Sequence, residues 1–581
     1  MYSIKKKQSG QDAVTATEVS TGSQGSGGVT YAMPARKKSL SVEQAIAAVG
    51  EFGLAQKFQI LLCALTQAVA ALITVHVVFS SMFLSSDSRV GLRCADPSLS
   101  SEESNKACED VLSPRSASGL ETQLGSRSVG SVREGICALP RDAWVYSSYG
   151  TLASDFNLLC GREWMLYLAM TMYFVGAAVG TLVFALLADK NQRRSILNLG
   201  RVVAGLSSLL IATSPMIWLV FLLRFFLGMG VSLMTMAAYV LSYDVTGAGW
   251  HPYVAVFLQG GFSAGGATGA FLVWLMPHWR ILGFIIGLMP IFLTITTWRY
   301  LIESPQWLLF QGRKGEATSA VASLAFGNRT RPPDCPLSDP VNMLSNPRRK
   351  MVDIIKNGRL FRRTLCLGFV WVAVTTTAYG VLASYDAIGS IYGVGNDGDA
   401  NSTGVELAFS GFLYEMAGVA AAALAIDRVG VSRARSAAIF TGITSILMFF
   451  GAFSLLGGGA SQYHALRWCT VASRFGAAGS MVTVLILSWE AFPSIVVYSA
   501  TWLLHAISTA LATSAPWLAF SAFLLQSAFV PWIIMASVCG GACAVLVIFD
   551  SAGKRRFLTI QEEDEEEQMR DEKQMMIIQH V

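Results

Sequence analysis

The chain contains twelve apolar stretches, most of them about twenty residues long, which are separated by short polar loops at all but two places. The apolar core of a bilayer is about 30 Å thick, and a helix needs about 20 residues to cross it. A helix also satisfies its own backbone hydrogen bonds, which lipid cannot do. The pattern therefore predicts an all-α membrane protein with twelve transmembrane helices in two pseudo-symmetric halves of six.

Composition supports this fold class and argues against an enzyme. Hydrophobic residues make up 53% of the chain and charged residues only 14%, whereas an average soluble domain has about 25% charged residues. The sequence contains no nucleotide-binding glycine loop, no metal-ligand cluster and no nucleophile with a plausible base partner. We therefore expect a lipid bilayer around the protein, and no catalytic residue, cofactor, metal or nucleic-acid partner.

Two long loops, after the first and the sixth apolar stretches, divide the chain into segments. The second loop leaves six stretches on each side. The first residues have no apolar run and are rich in Ser, Gly, Thr and Lys, which is typical of a disordered tail. The predicted segments are a disordered cytosolic tail (1–45), a first six-helix half (46–301) with a large extracellular loop (85–163), a cytosolic linker (302–363), a second six-helix half (364–550) and a charged cytosolic tail (551–581).

The basic residues of the loops predict the orientation. Linker 302–363 has eleven Lys/Arg against five Asp/Glu, whereas loop 85–163 has eight against eleven. Because basic loops stay in the cytosol, both termini should be cytosolic in a multi-pass plasma-membrane protein. Asn401 begins a glycosylation sequon on the outer side. Four cysteines of the outer loop should form two disulfides there, with the connectivity open. They are Cys94, Cys108, Cys137 and Cys160.

Acidic and basic residues recur at the ends of corresponding spans in the two halves. Such an internal repeat is typical of an alternating-access transporter. Ion pairs near the membrane surface can be made and broken by small helix movements, which suits a gate; alternatively, the arginines only anchor the topology. The predicted gating residues are Asp189, Arg193, Arg194, Asp244 and Glu303 in the first half, and Asp427, Arg428 and Glu490 in the second.

Six short motifs together carry a family resemblance. They are VGEFGLAQK (49–57), DFNLLCGREW (155–164), ADKNQRR (188–194), PHWR (277–280), ESPQWLLFQGR (303–313) and AIDRVG (425–430). From about residue 49 to residue 550 the chain resembles the organic ion transporters of the major facilitator superfamily, which include organic cation, carnitine and organic anion carriers. The resemblance implies the major facilitator fold and a small organic ion substrate that is moved by rocking of the two halves.

The chain also departs from the pattern of that family. Gln192 stands where the first cytosolic motif has Gly, and residues 248–252 replace a basic run after the fourth span. Val431 and Ser432 interrupt the basic run of the second half, and residues 550–552 replace the usual Pro-Glu-Thr. These changes predict weaker cytosolic ionic clusters. They leave open a damaged or regulated transport cycle, or a receptor or scaffold that does not transport.

Glu415 is the most informative ionisable residue within the predicted spans. It lies in the middle of the eighth span, where a carboxylate is costly and is a functional hypothesis by default. No Lys or Arg of its own span can neutralise it. We expect it to face the substrate cavity and attract a cation or a proton; the alternative is a buried structural hydrogen bond. Arg474 has an equal expectation of a structural or a substrate role, and His505 and His76 are expected to be packed helix-interface residues.

Aromatic and polar residues complete the predicted substrate site. An aromatic ring can hold an ammonium group over its face, which favours Trp371, Tyr379 and Tyr239. The resemblance implies that Trp371, Tyr239 and Gln259 line the cavity. It also places Thr509 where cation carriers have an acid, and anion and carnitine carriers an arginine. Glu415 is acidic and position 509 is not basic, so a cation or zwitterion is favoured. An organic anion carrier or a proton-coupled carrier is the alternative. The oligomeric state is not indicated.

Overall fold

The computed structural model describes residues 40–81, 92–94, 108, 137–140, 143–146, 150–187, 190–276, 278–333, 335–338, 358–392, 403–427, 431–456, 460–492, 497–525 and 527–553. Twelve helices in these ranges are long and apolar enough to cross a membrane. In the first half they are Leu54–Ser80, Trp164–Leu187, Arg193–Ala212, Ile217–Tyr243, His251–Leu275 and Trp279–Thr297. In the second half they are Gly358–Tyr392, Thr403–Asp427, Arg433–Ser454, Ala460–Ala491, Val497–Ala512 continued by Ala515–Leu524, and Phe529–Gly553. We number them as the first to the twelfth span.

The number and order of the spans confirm the predicted fold class, and local sequence explains some of their ends. Pro252 lies in the first turn of the fifth span, where its missing N–H leaves no hydrogen bond unmade. Ser432 caps the ninth span by accepting a hydrogen bond from the backbone N–H of Arg435 at 3.3 Å. The eleventh span breaks after Ala512. Pro516 explains the break, because it cannot donate to the carbonyl of Ala512.

The same packing pattern occurs in both halves. The first span packs on the fifth, the second on the fourth, and the third on the fourth and sixth; the seventh packs on the eleventh, the eighth on the tenth, and the ninth on the tenth and twelfth. The halves meet where the second span packs on the eleventh and the fifth on the eighth. Gly176 and Gly265 show how close the helices lie, since a Cβ at either would clash with the backbone of Phe225 or Ala68.

The start of the chain and the linker form a small helical bundle. Helices Val42–Val49, Pro305–Phe310 and Lys314–Gly327 share an apolar core. The side chain of Asn328 ties them to the first span: its oxygen accepts from the backbone N–H of Ala55 at 2.9 Å, and its nitrogen donates to the carbonyl of Val49 at 3.0 Å. The linker is therefore an ordered element over the residues described.

The long loop between the first and second spans contains a compact disulfide-linked unit. Strands Leu92–Cys94 and Trp144–Tyr146 pair antiparallel. The four predicted disulfide cysteines are joined in two bridges, which confirms that prediction and adds the connectivity. The pairs are Cys94–Cys108 and Cys137–Cys160.

Candidate functional site

A cavity of about 110 Å³ lies between the two six-helix halves. Its wall comes from the first, fourth and fifth spans of one half and from the seventh, eighth, tenth and eleventh spans of the other. The first, fourth and fifth spans thus face their counterparts, the seventh, tenth and eleventh. A site at such an interface is positioned to change its exposure when the halves move relative to each other.

Glu415 lies on this wall with a full set of partners. It is 5% exposed. One carboxylate oxygen, Oε1, accepts from Ser263 Oγ at 3.0 Å and from Gln259 Nε2 at 3.3 Å, both in the fifth span. The other oxygen, Oε2, accepts from the guanidinium of Arg474 in the tenth span. Glu415 therefore joins the two halves by hydrogen bonds within the membrane.

Arg474, which lies on a different span, is the neutralising partner of Glu415. The two side chains form an ion pair, and Arg474 is only 4% exposed. Its Nη1 donates to the carbonyl of Ala378 at 2.7 Å, and its guanidinium stacks 4.9 Å from the ring centre of Phe412. A buried guanidinium and carboxylate with further hydrogen bonds meet the conditions under which charges persist away from water. The cavity thus carries both charges.

The other predicted binding residues divide into two groups. Tyr239, Tyr379 and Gln259 line the cavity, and the Tyr239 hydroxyl donates to Gln259 Oε1 at 3.4 Å. Trp371 lies behind the wall, because its indole N–H donates to Ser488 Oγ at 2.8 Å in the tightly packed second half. Thr509 does not line the cavity either, and its hydroxyl donates to the backbone carbonyl of residue 505 of its own helix at 2.8 Å.

His505 lines the cavity, although the sequence favoured a packed interface for it. Its ring lies edge-on to Trp371, with centroids 5.1 Å apart. Its Nδ1 has no hydrogen-bond partner among the described residues. His76, in contrast, is a packed residue whose Nε2 is 2.8 Å from the carbonyl of Trp279. The sequence does not distinguish the positions of these two histidines, because those positions depend on how the helices pack.

The first predicted gate is assembled around Glu303. Its carboxylate accepts from the backbone N–H groups of Arg193 at 3.0 Å and Arg194 at 3.1 Å, so it caps the third span. Arg193 Nε also lies 3.9 Å from Asp244 Oδ2. Burial raises the pKa of the Glu303 carboxyl, although backbone N–H donors oppose the rise. Asp189 lies outside the described residues.

The second predicted gate contains residues that the sequence did not single out. Glu490 accepts from Arg433 Nε at 3.1 Å, and Arg435 Nε donates to Asp550 Oδ2 at 2.5 Å. Arg428 and Asn401 lie outside the described residues, as does the side chain of Asp427. The basic residues at the start of the ninth span, just after the interrupted motif, are the sequence signal for these pairs.

The sequence of the chain is similar to those of known proteins. Residues 144–512 match the Major Facilitator Superfamily, which is more than half of the chain. The chain belongs to the major facilitator superfamily. Over 494 residues this facilitator is 24% identical to solute carrier family 22 member 1 of Oryctolagus cuniculus, covering 78% of this chain and 83% of the relative. Organic cation/carnitine transporter 2 of Arabidopsis thaliana is 29% identical over 48% of this chain and 47% of the relative.

The fold of the facilitator is also similar to a solved structure. The proton:xylose symporter XylE bound to 6-bromo-6-deoxy-D-glucose superposes with a TM-score of 0.55 at 12% identity, over 85% of this chain and 96% of that one. At this identity the similarity concerns the fold alone.

Two of the resemblance motifs of this facilitator meet at the end of the bundle where the sixth span begins. Asp155 Oδ2 accepts from Trp279 Nε1 at 2.9 Å and from Arg280 Nε at 2.7 Å. Arg280 Nη1 also donates to the carbonyls of Ala212 and Ser214, at 3.1 and 2.9 Å, where the third span ends. These bonds fasten the loop between the first and second spans to the third and sixth spans. Both motifs are visible in the sequence, but their contact depends on how the loop folds onto the spans.

Proposed function

We propose that this facilitator carries small organic ions across the plasma membrane by alternating access, with both termini in the cytosol and no catalytic activity. The observation that carries the proposal is the buried Glu415–Arg474 pair on the wall of a cavity enclosed by both halves. Ionisable residues within membrane spans are rare and mark substrate or ion paths. The presence of both charges at the interface of the halves fits a site for an organic ion.

The substrate class that we favour is a zwitterion, with a cation second. Glu415 and Arg474 have opposite charges and contact each other, so the pair presents no net charge. A singly charged substrate is attracted by one partner and repelled by the other, whereas a zwitterion offers each partner an opposite charge. The rings of Tyr239 and Tyr379 can hold its ammonium end. The Arabidopsis relative supports this choice, because carnitine is itself a zwitterion.

Three probes of matched shape test the choice of charge. Glycine betaine carries a trimethylammonium and a carboxylate, its carboxamide analogue carries only the cation, and 3,3-dimethylbutyrate carries only the anion. We expect saturable uptake of labelled glycine betaine into proteoliposomes, with less uptake of the other two. A preference for the carboxamide would make the protein a cation carrier, and a preference for dimethylbutyrate an anion carrier. Absence of uptake for all three is the result expected of a scaffold.

A matched pair of variants separates the central site from general damage. Glu415→Gln should lower betaine uptake by about tenfold or more, because the substitution keeps size and hydrogen bonding but removes the carboxylate charge that attracts the trimethylammonium group. Glu406 lies on the eighth span, as Glu415 does, and pairs with Arg467 of the tenth span, on which Arg474 lies. The two side chains are 3.0 Å apart and exposed. Glu406→Gln should therefore leave uptake close to that of the unmodified protein. Equal effects of the two substitutions would count against a site at Glu415.

A further inference from the structure

Aromatic side chains connect the two halves between the central cavity and the predicted cytosolic face. Tyr243, at the end of the fourth span, stacks on Trp489 of the tenth span, with ring centroids 4.1 Å apart and planes 23° apart. His251 lies edge-on to Tyr243 at 4.8 Å. Trp489 continues to Trp502 of the eleventh span at 6.2 Å. A contact chain of rings therefore spans the interface at this depth.

The position of the stack places it on the substrate path. Tyr243 follows the cavity residue Tyr239 by four residues, or about 6 Å along the helix. Trp489 follows the cavity residue Met481 by eight residues, or about 12 Å. Tyr243 is 2% exposed. A substrate that leaves the cavity toward the predicted cytosolic face has to separate these two rings.

The ionic clusters at this face lie within single halves. Arg193 and Asp244 belong to the third and fourth spans, and Arg433 and Glu490 to the ninth and tenth. Arg435 and Asp550 join the ninth and twelfth spans. Each of these three pairs joins two spans of the same half, so these pairs brace the halves individually.

We propose that the stack of Tyr243 on Trp489 is the cytosolic gate of this facilitator. The proposal rests on the proposed function, because a gate has meaning only in a transport cycle. Aromatic pairs gain energy from ring geometry in addition to burial, and they separate without exposing unpaired charges to lipid. The sequence agrees with this assignment. Residues 248–252, which include His251, stand where the organic ion transporters that the chain resembles have a basic run.

Cysteine accessibility tests the gate directly. Ala478 lies on the cavity wall and is 4% exposed. In inside-out vesicles, a charged membrane-impermeant methanethiosulfonate reagent should modify Ala478→Cys slowly, after subtraction of the rate of protein that lacks this cysteine. Adding Trp489→Ala or Tyr243→Ala should raise the rate several-fold to about tenfold, the range expected for loss of an aromatic pair. Trp489→Phe should stay within twofold of the unmodified gate.

Control variants make the test decisive. Trp468 lies on the same span as Trp489 but is 62% exposed, so Trp468→Ala should not change the rate. Trp489→Leu keeps apolar burial and removes the ring stack, so it serves if the alanine variant does not fold, and it too should raise the rate. The proposal is overturned if the ring variants leave the rate unchanged, or if Arg193→Ala or Arg433→Ala raises it as much. Labelling requires no transport, so a failure of the proposed function is seen separately, as absence of uptake for every probe.

Discussion

Glu415 shows what the sequence can and cannot predict about a single residue. A carboxylate in the middle of an apolar span is visible in the sequence, and its cost in lipid makes a functional interpretation reasonable. Its partner Arg474 lies 59 positions further along, on another helix. The sequence shows both residues, but their contact depends on how the eighth and tenth spans pack. Charge balance at the site could therefore not be predicted from residues of one span.

The first prediction concerns the energy of this ion pair. Arg474→Met leaves a buried carboxylate without its guanidinium and should destabilise the protein by about 3–5 kcal/mol. The double variant Glu415→Gln, Arg474→Met should recover a large part of that loss, because no buried charge remains. Thermal unfolding in detergent measures both.

The exposed pair of Glu406 and Arg467 is the control for that cycle. Its removal should change stability by at most about 1 kcal/mol. Additive effects of the two substitutions at the buried pair would contradict the geometry described here.

The second prediction separates two histidines. His505 faces the cavity, so His505→Asn should raise the KM for glycine betaine by about two- to tenfold, as expected for one hydrogen bond. His76 is bonded to the carbonyl of Trp279 instead. His76→Asn should lower thermal stability and leave KM unchanged. If the two variants exchanged these effects, the placement of His505 on the wall would be wrong.

Helices were predicted from the sequence where the length of an apolar run alone determines them. The twelve spans follow from apolar runs that match the bilayer. The linker was predicted only as a basic cytosolic loop, yet it contains helices Pro305–Phe310 and Lys314–Gly327. They are short and bury their apolar residues against Val42–Val49. This tertiary packing, between segments more than 250 residues apart, has no local periodic signal.

The third prediction concerns Glu303 and pH. Because burial raises the pKa of this carboxyl, its contribution to stability is complete below the ordinary value near 4.3 and is lost as pH rises through the raised value. The Glu303→Gln variant has no group that ionises at this position, so its stability lacks this dependence on pH. As pH rises above about 4, the thermal stability of the unmodified protein should fall relative to that of Glu303→Gln.

Glu316 provides the control, because it lies on the same linker in an exposed pair with Arg313 at 2.6 Å. Glu316→Gln should follow the pH profile of the unmodified protein. Parallel profiles for Glu303→Gln and the unmodified protein would show that the titration of Glu303 does not influence folding.

At the scale of the whole molecule, the sequence predicts two similar halves but not how they meet. Internal repeats reveal the halves, and resemblance motifs reveal the family. The stacking of Tyr243 on Trp489 and the bonds from Ser263 and Gln259 to Glu415 arise only when the halves dock. Four loop cysteines likewise allow three pairings, and the folded loop selects one. These cross-element contacts are the ones on which the transport proposal depends.

Counterflow tests the central claim, an alternating-access carrier with one central site, most directly. Proteoliposomes are loaded with unlabelled glycine betaine and diluted into a trace of labelled betaine. A carrier exchanges one molecule for the other, so label should rise transiently above its equilibrium level inside the vesicles, and Glu415→Gln should abolish this overshoot. Entry of label without an overshoot, or no protein-dependent entry at all, would contradict the account.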